Sequence, residues 1–225
     1  MNPSPTVRNP AARAVVWGAS GHASVVEDCA RTSGAYSVVG FIDELHPERR
    51  GERVSRLPIL GGREALDAAR RAGVSHVLLG VGNNQARLRI ADDVVAAGME
   101  LGTVIHPTAT VAHSASLGPG VVVVAGAIVG PEATVGRAAL INTSSSVDHH
   151  CRIGAGAHIA PGALLAGGVE IGELAWIGIG AIVIERVRVG DGAFVGAGAL
   201  VLRDLPAGTM AYGLPARPVR PTSTR

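Results

Sequence analysis

Residues 105–206 read IHPTAT VAHSAS LGPGVV VVAGAI VGPEAT VGRAAL INTSSS VDHHCR IGAGAH IAPGAL LAGGVE IGELAW IGIGAI VIERVR VGDGAF VGAGAL VLRDLP, seventeen six-residue units with no insertion. Every first position is Ile, Val or Leu. The fifth is Ala in eleven units and otherwise Val, Ser, Cys or Leu, and Gly holds the second or fourth position in most. A large aliphatic at position one and a small residue at position five both belong in an interior, and Gly at a corner allows the positive φ of a sharp turn. Three units close one triangular coil of 18 residues, so the 102 residues make between five and six coils. Coils stacked at strand spacing, roughly 4.8 Å, turn like positions into aliphatic ladders. A β-sandwich would show a period of two and turns every 8–12 residues, and the strict period of six excludes it.

Upstream of the repeat, residues 13–104 alternate differently. ARAVVWG is a short strand that runs through GASGH into SVVEDCARTSG, where Val25, Val26 and Cys29 suit one helix face. YSVVGFIDE is a second strand, REALDAARRAG a helix with Leu66 and Ala69 inward, VSHVLLGVG a third strand and NNQARLRIADDVVAAG a third helix. Such alternation predicts a small parallel sheet of Rossmann type. The turn containing Ser20, Gly21 and His22 opens a helix, where backbone N–H groups and the helix dipole favour an anionic oxygen. It lacks the G-x-G-x-x-G fingerprint. Asp43 and Glu44 end the second strand, and Gly82 and Gln85 follow the third. All three loops therefore lie at the carboxyl edge of one sheet, where nucleotides bind in open α/β folds.

The flanks carry less. Residues 1–12 read as a loose leader and 207–225 as a C-terminal tail. The net charge of +2 and the absence of a Lys/Arg run give no footprint for nucleic acid or a membrane surface. Cys29 and Cys151 form no metal-spacing motif, and no stretch has signal-peptide or membrane-span length, so a cytoplasmic protein is expected. Among the histidines, His46, His76, His106 and His113 have surface-like surroundings. His149 and His150 replace corner residues, between interior Val147 and Cys151, and so project outward.

Taken together, GASGHASVVEDCAR, FIDE, VGNNQARLR, INTSSSVDHHCRIG, AHIAPGALLAGGVEIG and YGLPARPVR resemble the sialic-acid O-acetyltransferase-type family of hexapeptide-repeat acyltransferases. Closest is its branch that N-acetylates UDP-4-amino sugars in bacillosamine biosynthesis. The likeness runs from about Val15 to Arg217. It implies a left-handed parallel β-helix, a homotrimer, and acetyl-CoA lying between adjacent prisms, with no metal. It implies that His149 is the general base, a task that suits an imidazole, with Asn142 beside it. The residue after the base is usually acidic in that family; here it is His150. His158 matches a second histidine near the acetyl-CoA carbonyl, and Gly167, Ile179 and Ala197 match the CoA channel. Ser20, Gly21, His22, Asp43, Glu44, Gly82 and Gln85 match nucleotide-sugar positions. Nine residues separate His149 from His158, half a coil, so the two can meet only across a subunit boundary. Cys151 matches a family cysteine, but its interior position argues for direct attack of the sugar amine on the thioester. Three other readings remain: O-acetylation of a sugar or sialic acid, a zinc-dependent β-helix carbonic anhydrase, and a non-catalytic sugar-nucleotide binder.

Overall fold

The computed structural model describes residues 11–222. The N-terminal part is a six-stranded sheet built from β1 (Ala12–Trp17), β2 (Tyr36–Ile42), β3 (Arg53–Val54), β4 (Leu57–Gly61), β5 (His76–Leu79) and β6 (Glu100–Leu101). Its order is β3-β4-β2-β1-β5-β6, parallel throughout except for the antiparallel β3–β4 edge. Helices α1 (Gly21–Ser33), α2 (Ala65–Arg71) and α3 (Asn84–Ala96) make the crossovers. The order reverses at the β1–β5 pair, and this switch point is where open α/β sheets leave a crevice. Two glycines bring its loops together. A Cβ on Gly18 would lie 2.5 Å from the Gly80 carbonyl oxygen, and one on Gly80 would lie 2.6 Å from a Val16 methyl.

Residues Ala23, Val26, Cys29 and Ala30 form the buried stripe of α1, whereas Val25 stands 37 % exposed. The expected face was therefore one residue out of phase at Val25. The β3–β4 hairpin was not legible either, because a two-residue strand of Arg and Val carries no periodicity.

From Val104 onward the chain winds as a left-handed parallel β-helix with three faces. The first carries Val104–Ile105, Val122–Val123, Leu140–Ile141, His158–Ile159, Trp176–Ile177 and Phe194–Val195. The second runs from Thr110–Val111 to Leu200–Val201 and the third from Ser116–Leu117 to Arg188–Val189. Each two-residue strand pairs with its counterpart in the next coil, as in Leu140↔His158 and Ile141↔Ile159. Inside, Val129, Val147, Leu165, Val183 and Val201 form one of the ladders, all essentially inaccessible. Burying side chains of this size stabilises by about 1.5–3 kcal/mol each.

Glycine does two separate jobs here. Fourth positions from Gly120 to Gly198 have positive φ whether or not they are Gly, and Glu132, Ala138, Ser144, His150, Leu174 and Arg186 adopt it with side chains. Second-position glycines do not have positive φ. A Cβ on Gly172 would lie 2.4 Å from the Asp191 nitrogen one coil on, so these glycines let successive corners stack.

The residues expected as a C-terminal tail extend the solenoid. Thr209–Tyr212 pairs with Phe194–Val195 on the first face, and Arg217–Pro221 returns antiparallel to it. The step shortens here, since Phe194 pairs with Met210, short of a full coil, and the six-residue pattern no longer marks it. At the other end Ala12 already belongs to β1, and residues 1–10 of the expected leader lie outside the described residues.

Candidate active site

Outward side chains at the sixth position give each face its own chemistry. The third face is polar, and Arg188 pairs there with Glu170 at 2.8 Å. The second bears aliphatic residues in the open, with Ile128, Leu164 and Ile182 at 46 %, 45 % and 41 % exposure. The first carries Leu140, His158, Trp176 and Phe194 in successive coils, and the N-terminal domain docks against it. Val26, Cys29 and Ala30 of α1 pack with Val104, Val122 and Leu140.

Arg87 of α3 fastens the remainder. It is 1 % exposed, and every partner of its guanidinium is an oxygen of an amide. Nε donates to the Ala138 carbonyl at 2.8 Å, and Nη1 to those of Val81 (3.1 Å) and Gly82 (2.9 Å). Nη2 donates to Asn84 Oδ1 at 3.0 Å and to the carbonyls of Gly156 (2.8 Å) and Ala157 (3.3 Å). Asn84 Nδ2 in turn donates to the carbonyls of Leu174 and Ala175 at 3.0 and 3.1 Å. One helix thus grips three consecutive coils. Burial without a carboxylate partner lowers the Arg87 pKa to about 10, which leaves it charged at neutral pH.

His158 is 5 % exposed inside this junction, its ring 4.1 Å from that of Trp176 and nearly edge-on. Asn142, in the preceding coil, fixes its tautomer. Asn142 Oδ1 accepts from the Thr143 backbone N–H at 2.8 Å, so Asn142 Nδ2 is the donor to His158 Nε2 at 3.0 Å. The His158 proton therefore sits on Nδ1, which is buried and meets no hydrogen-bond partner among the described residues. Desolvation, with Arg87 and His22 adding repulsion, pushes the His158 pKa down to about 3. His22, the second residue of α1, is lowered to about 4 by burial and then by Arg87. Its Nε2 is likewise buried and unpartnered among the described residues.

His149 and His150 occupy the corner between the second and third faces and are exposed. Their Nδ1 atoms are 2.9 Å apart, with the rings at 88°. Asp148 Oδ1 accepts from the His149 backbone N–H at 2.6 Å, so that carboxylate serves the chain and not the ring. The His149 ring also lies against Gly167 of the next coil, where a Cβ would come within 2.5 Å of Cε1 and 2.6 Å of Nε2. Within one protomer, then, Gly167 belongs with His149, while Asn142 belongs with His158. Asn142 was expected beside the base, and within this chain its side chain meets His158. The 158 and 149 positions lie on different faces, as their half-coil spacing requires. Ile179 stands 61 % exposed at the corner between the first and second faces, and Ala197 follows it one coil later at the same corner.

The remaining candidates gather at the carboxyl edge of the sheet. Ser20 caps α1 without using its side chain, and Gly21 is exposed with open space around it. Both acids are already neutralised. Asp43 accepts from Arg49 at 2.8 Å and from the His46 N–H at 3.1 Å, and Glu44 bridges Arg63 (3.5 Å) and Arg89 (3.0 Å). The Gly82 carbonyl is held by Arg87. Gln85 lines a cavity of about 520 Å³ together with Asn83, Leu174, Trp176, Phe194 and Met210. Its size suits a small organic ligand. Sequence reasoning missed Arg87, Asn84 and the aromatic wall. The wall had a signal, because His158, Trp176 and Phe194 recur once per coil at the same outward position. Cys151 points inward, its Sγ donating to the Ala166 carbonyl at 3.2 Å, and burial raises its pKa. Among the described residues no group of three or more His, Cys, Asp or Glu could hold a metal ion, and no helix is long and apolar enough to cross a membrane.

Comparison with known proteins gives this geometry relatives. The PglD N-terminal domain family matches residues 13–94, and the bacterial transferase hexapeptide (six repeats) matches residues 168–203. No curated protein matches the chain. Among solved structures, perosamine N-acetyltransferase from Caulobacter crescentus, in complex with CoA and GDP-perosamine, is 39 % identical with a TM-score of 0.88. The match covers 92 % of this chain and 97 % of that one. The acetyltransferase domain of PglB from Neisseria gonorrhoeae, in complex with acetyl coenzyme A, is 36 % identical with a TM-score of 0.87, covering 93 % of this chain and 100 % of that one. WeeI from Acinetobacter baumannii, 21 % identical with a TM-score of 0.61 over 92 % of this chain and 99 % of its own, shares the fold. With that identity across nearly its whole length, the chain belongs to the hexapeptide-repeat sugar N-acetyltransferases that carry a PglD-type N-terminal domain.

Proposed function

We propose that this protein transfers the acetyl group of acetyl-CoA to the amino group of a nucleotide-linked 4-amino sugar, with His149 as general base. The observation that carries the assignment is the contrast between its candidate histidines. A general base works best with a pKa near the operating pH. Buried His158, at about 3, does not meet that condition, and its Nε2 lone pair is already occupied by Asn142. His149 is accessible at a corner, and among the described residues its Nε2 has no such partner. In the reaction His149 Nε2 takes a proton from the attacking amine as the new N–C bond forms. The thioester C–S bond breaks and the sulfur leaves as the CoA thiol. Cys151, inward-facing and with a raised pKa, supports direct attack over an acyl-enzyme.

The site is completed between protomers of a homotrimer. Support comes from the aliphatic stripe Ile128, Leu164 and Ile182 on the second face, which flanks the His149 corner on one side and the Ile179 corner on the other. A stripe of this kind marks an interaction surface. In that arrangement Gly167, beside the base, and Ile179 with Ala197, from the neighbouring protomer, border the acetyl-CoA channel. The sugar nucleotide approaches over Ser20, Gly21, Gly82 and Gln85 and the aromatic wall. Asp43 and Glu44 contribute as arginine-paired acids, and His22 contributes from beneath. The resemblance favours UDP, whereas the Caulobacter relative was solved with GDP-perosamine.

CoA release from acetyl-CoA, followed with UDP-, GDP- and dTDP-linked 4-amino sugars and their 4-hydroxy counterparts, tests the reading. Turnover on an amino sugar, reduced at least 10²-fold in His149→Ala, is the expected result. Turnover confined to hydroxy sugars would replace it with O-acetylation, and undiminished turnover in the variant would move the base.

A further inference from the structure

Resting on the assignment of His149 as base, we infer that His150 is its positioning residue, acting as a neutral hydrogen-bond acceptor that holds the His149 proton on Nδ1. The two Nδ1 atoms are 2.9 Å apart, so one of them donates and the other accepts. If His150 donated, the His149 proton would sit on Nε2 and the nitrogen facing the substrate could not take another. If His149 donates, its Nε2 is bare and able to act. Only the second arrangement is compatible with base catalysis by His149. Among the described residues His150 is the hydrogen-bond partner of the His149 ring, while Asp148 Oδ1 accepts from the His149 backbone N–H.

The backbone holds this arrangement in place. His150 sits at φ 59°, the left-handed corner conformation, and its N–H donates to the Pro131 carbonyl at 2.9 Å. That conformation turns the His150 ring back toward its predecessor. Gly167 lies against the Cε1–Nε2 edge of the same ring, so the base touches both an acceptor and a glycine. When Nε2 takes the amine proton, His149 becomes imidazolium and its Nδ1–H remains donated to His150. No proton passes to His150, and charge balances on the His149 ring alone. An acceptor lone pair on a neutral ring thus does the orienting that a carboxylate performs by charge.

The left-handed φ makes the test clean. His150→Gly removes the acceptor but suits the backbone better than histidine does, so thermal stability should be equal or higher. Activity should move the other way, with kcat down about 10- to 100-fold and both KM values little changed. His150→Asn tolerates the same φ and supplies an oxygen acceptor, and it should recover most of kcat; His150→Asp should recover at least as much. In ¹⁵N-resolved NMR of the imidazoles, His149 should be Nδ1-protonated in the wild type and shift toward the Nε2–H tautomer in His150→Gly. Wild-type kcat in His150→Gly, or a wild-type His149 protonated on Nε2, overturns the inference. Failure of the assignment beneath it looks different: His149→Ala would stay active while His150→Gly did not.

Discussion

The two places where histidines gather in this molecule differ in nearly every physical respect. At the domain junction His158 is buried and His22 half-buried beside a charged arginine, and their pKa values fall to about 3 and about 4. At the corner between the second and third faces His149 and His150 stand in the open, bonded to one another. The same side chain is a fixed neutral dipole in one place and an exposed, hydrogen-bonded ring in the other. What separates them is desolvation, supplied by the N-terminal domain settling on one face of the prism and not on another. Building chemistry on a repeat thus needs only a histidine at an outward position and a decision about which face is covered.

Removing the rivet of the junction should have the largest effect. Arg87→Met strands carbonyls of Val81, Gly82, Ala138, Gly156 and Ala157 in the interior. Stability measured by urea unfolding should drop by about 3–5 kcal/mol, since several buried acceptors lose their donor at about 1–3 kcal/mol each and part of that is relieved by relaxation. An unchanged midpoint would mean that the domain is held by its apolar contacts alone. A smaller change is expected at the open corner. Gly167→Ala puts a methyl where the His149 ring lies, and the exposed ring can swing aside with little strain. Its kcat should fall about 10- to 100-fold with the unfolding midpoint nearly constant; equal losses in both would make the corner as rigid as the junction. The smallest effect is a slope. The folded-state pKa of His158 is depressed, so its neutral form contributes stability that is present above pH 6.5 and lost as pH falls toward about 3. In that window the unfolded chain binds one more proton, and stability should fall by about 1.4 kcal/mol per pH unit from this group. His158→Asn should flatten the dependence by that amount between pH 6 and pH 4, and an unaltered slope would place the titration elsewhere.

The difference between the two regions also governs what could be read beforehand. Positions one and five of each unit gave the interior of the prism, since a period of six has one physical solution for Val, Ala and Gly together. That His149 and His150 point outward followed from Val147 and Cys151 pointing in. The junction was opaque by comparison. A guanidinium satisfied by main-chain oxygens leaves no complementary acid to find, and the Asn142 partner depends on which coil lies next to which. The edge hairpin Arg53–Gly61 and the return strand Arg217–Pro221 were missed because neither keeps a period. The aromatic wall could have been found by aligning sixth positions from coil to coil.

The stacking of like on like also governs how such a chain can change length. Because every coil meets its neighbours through equivalent positions, size here is quantised. Excising or duplicating one whole coil joins one inward ladder to the next with no seam, whereas a single inserted residue puts every later aliphatic out of register until another change restores it. A whole-coil change therefore keeps the ladders on either side of the rung that bears His149 and its glycine in register. In a lineage of such proteins, length should vary by whole coils long before the corner does.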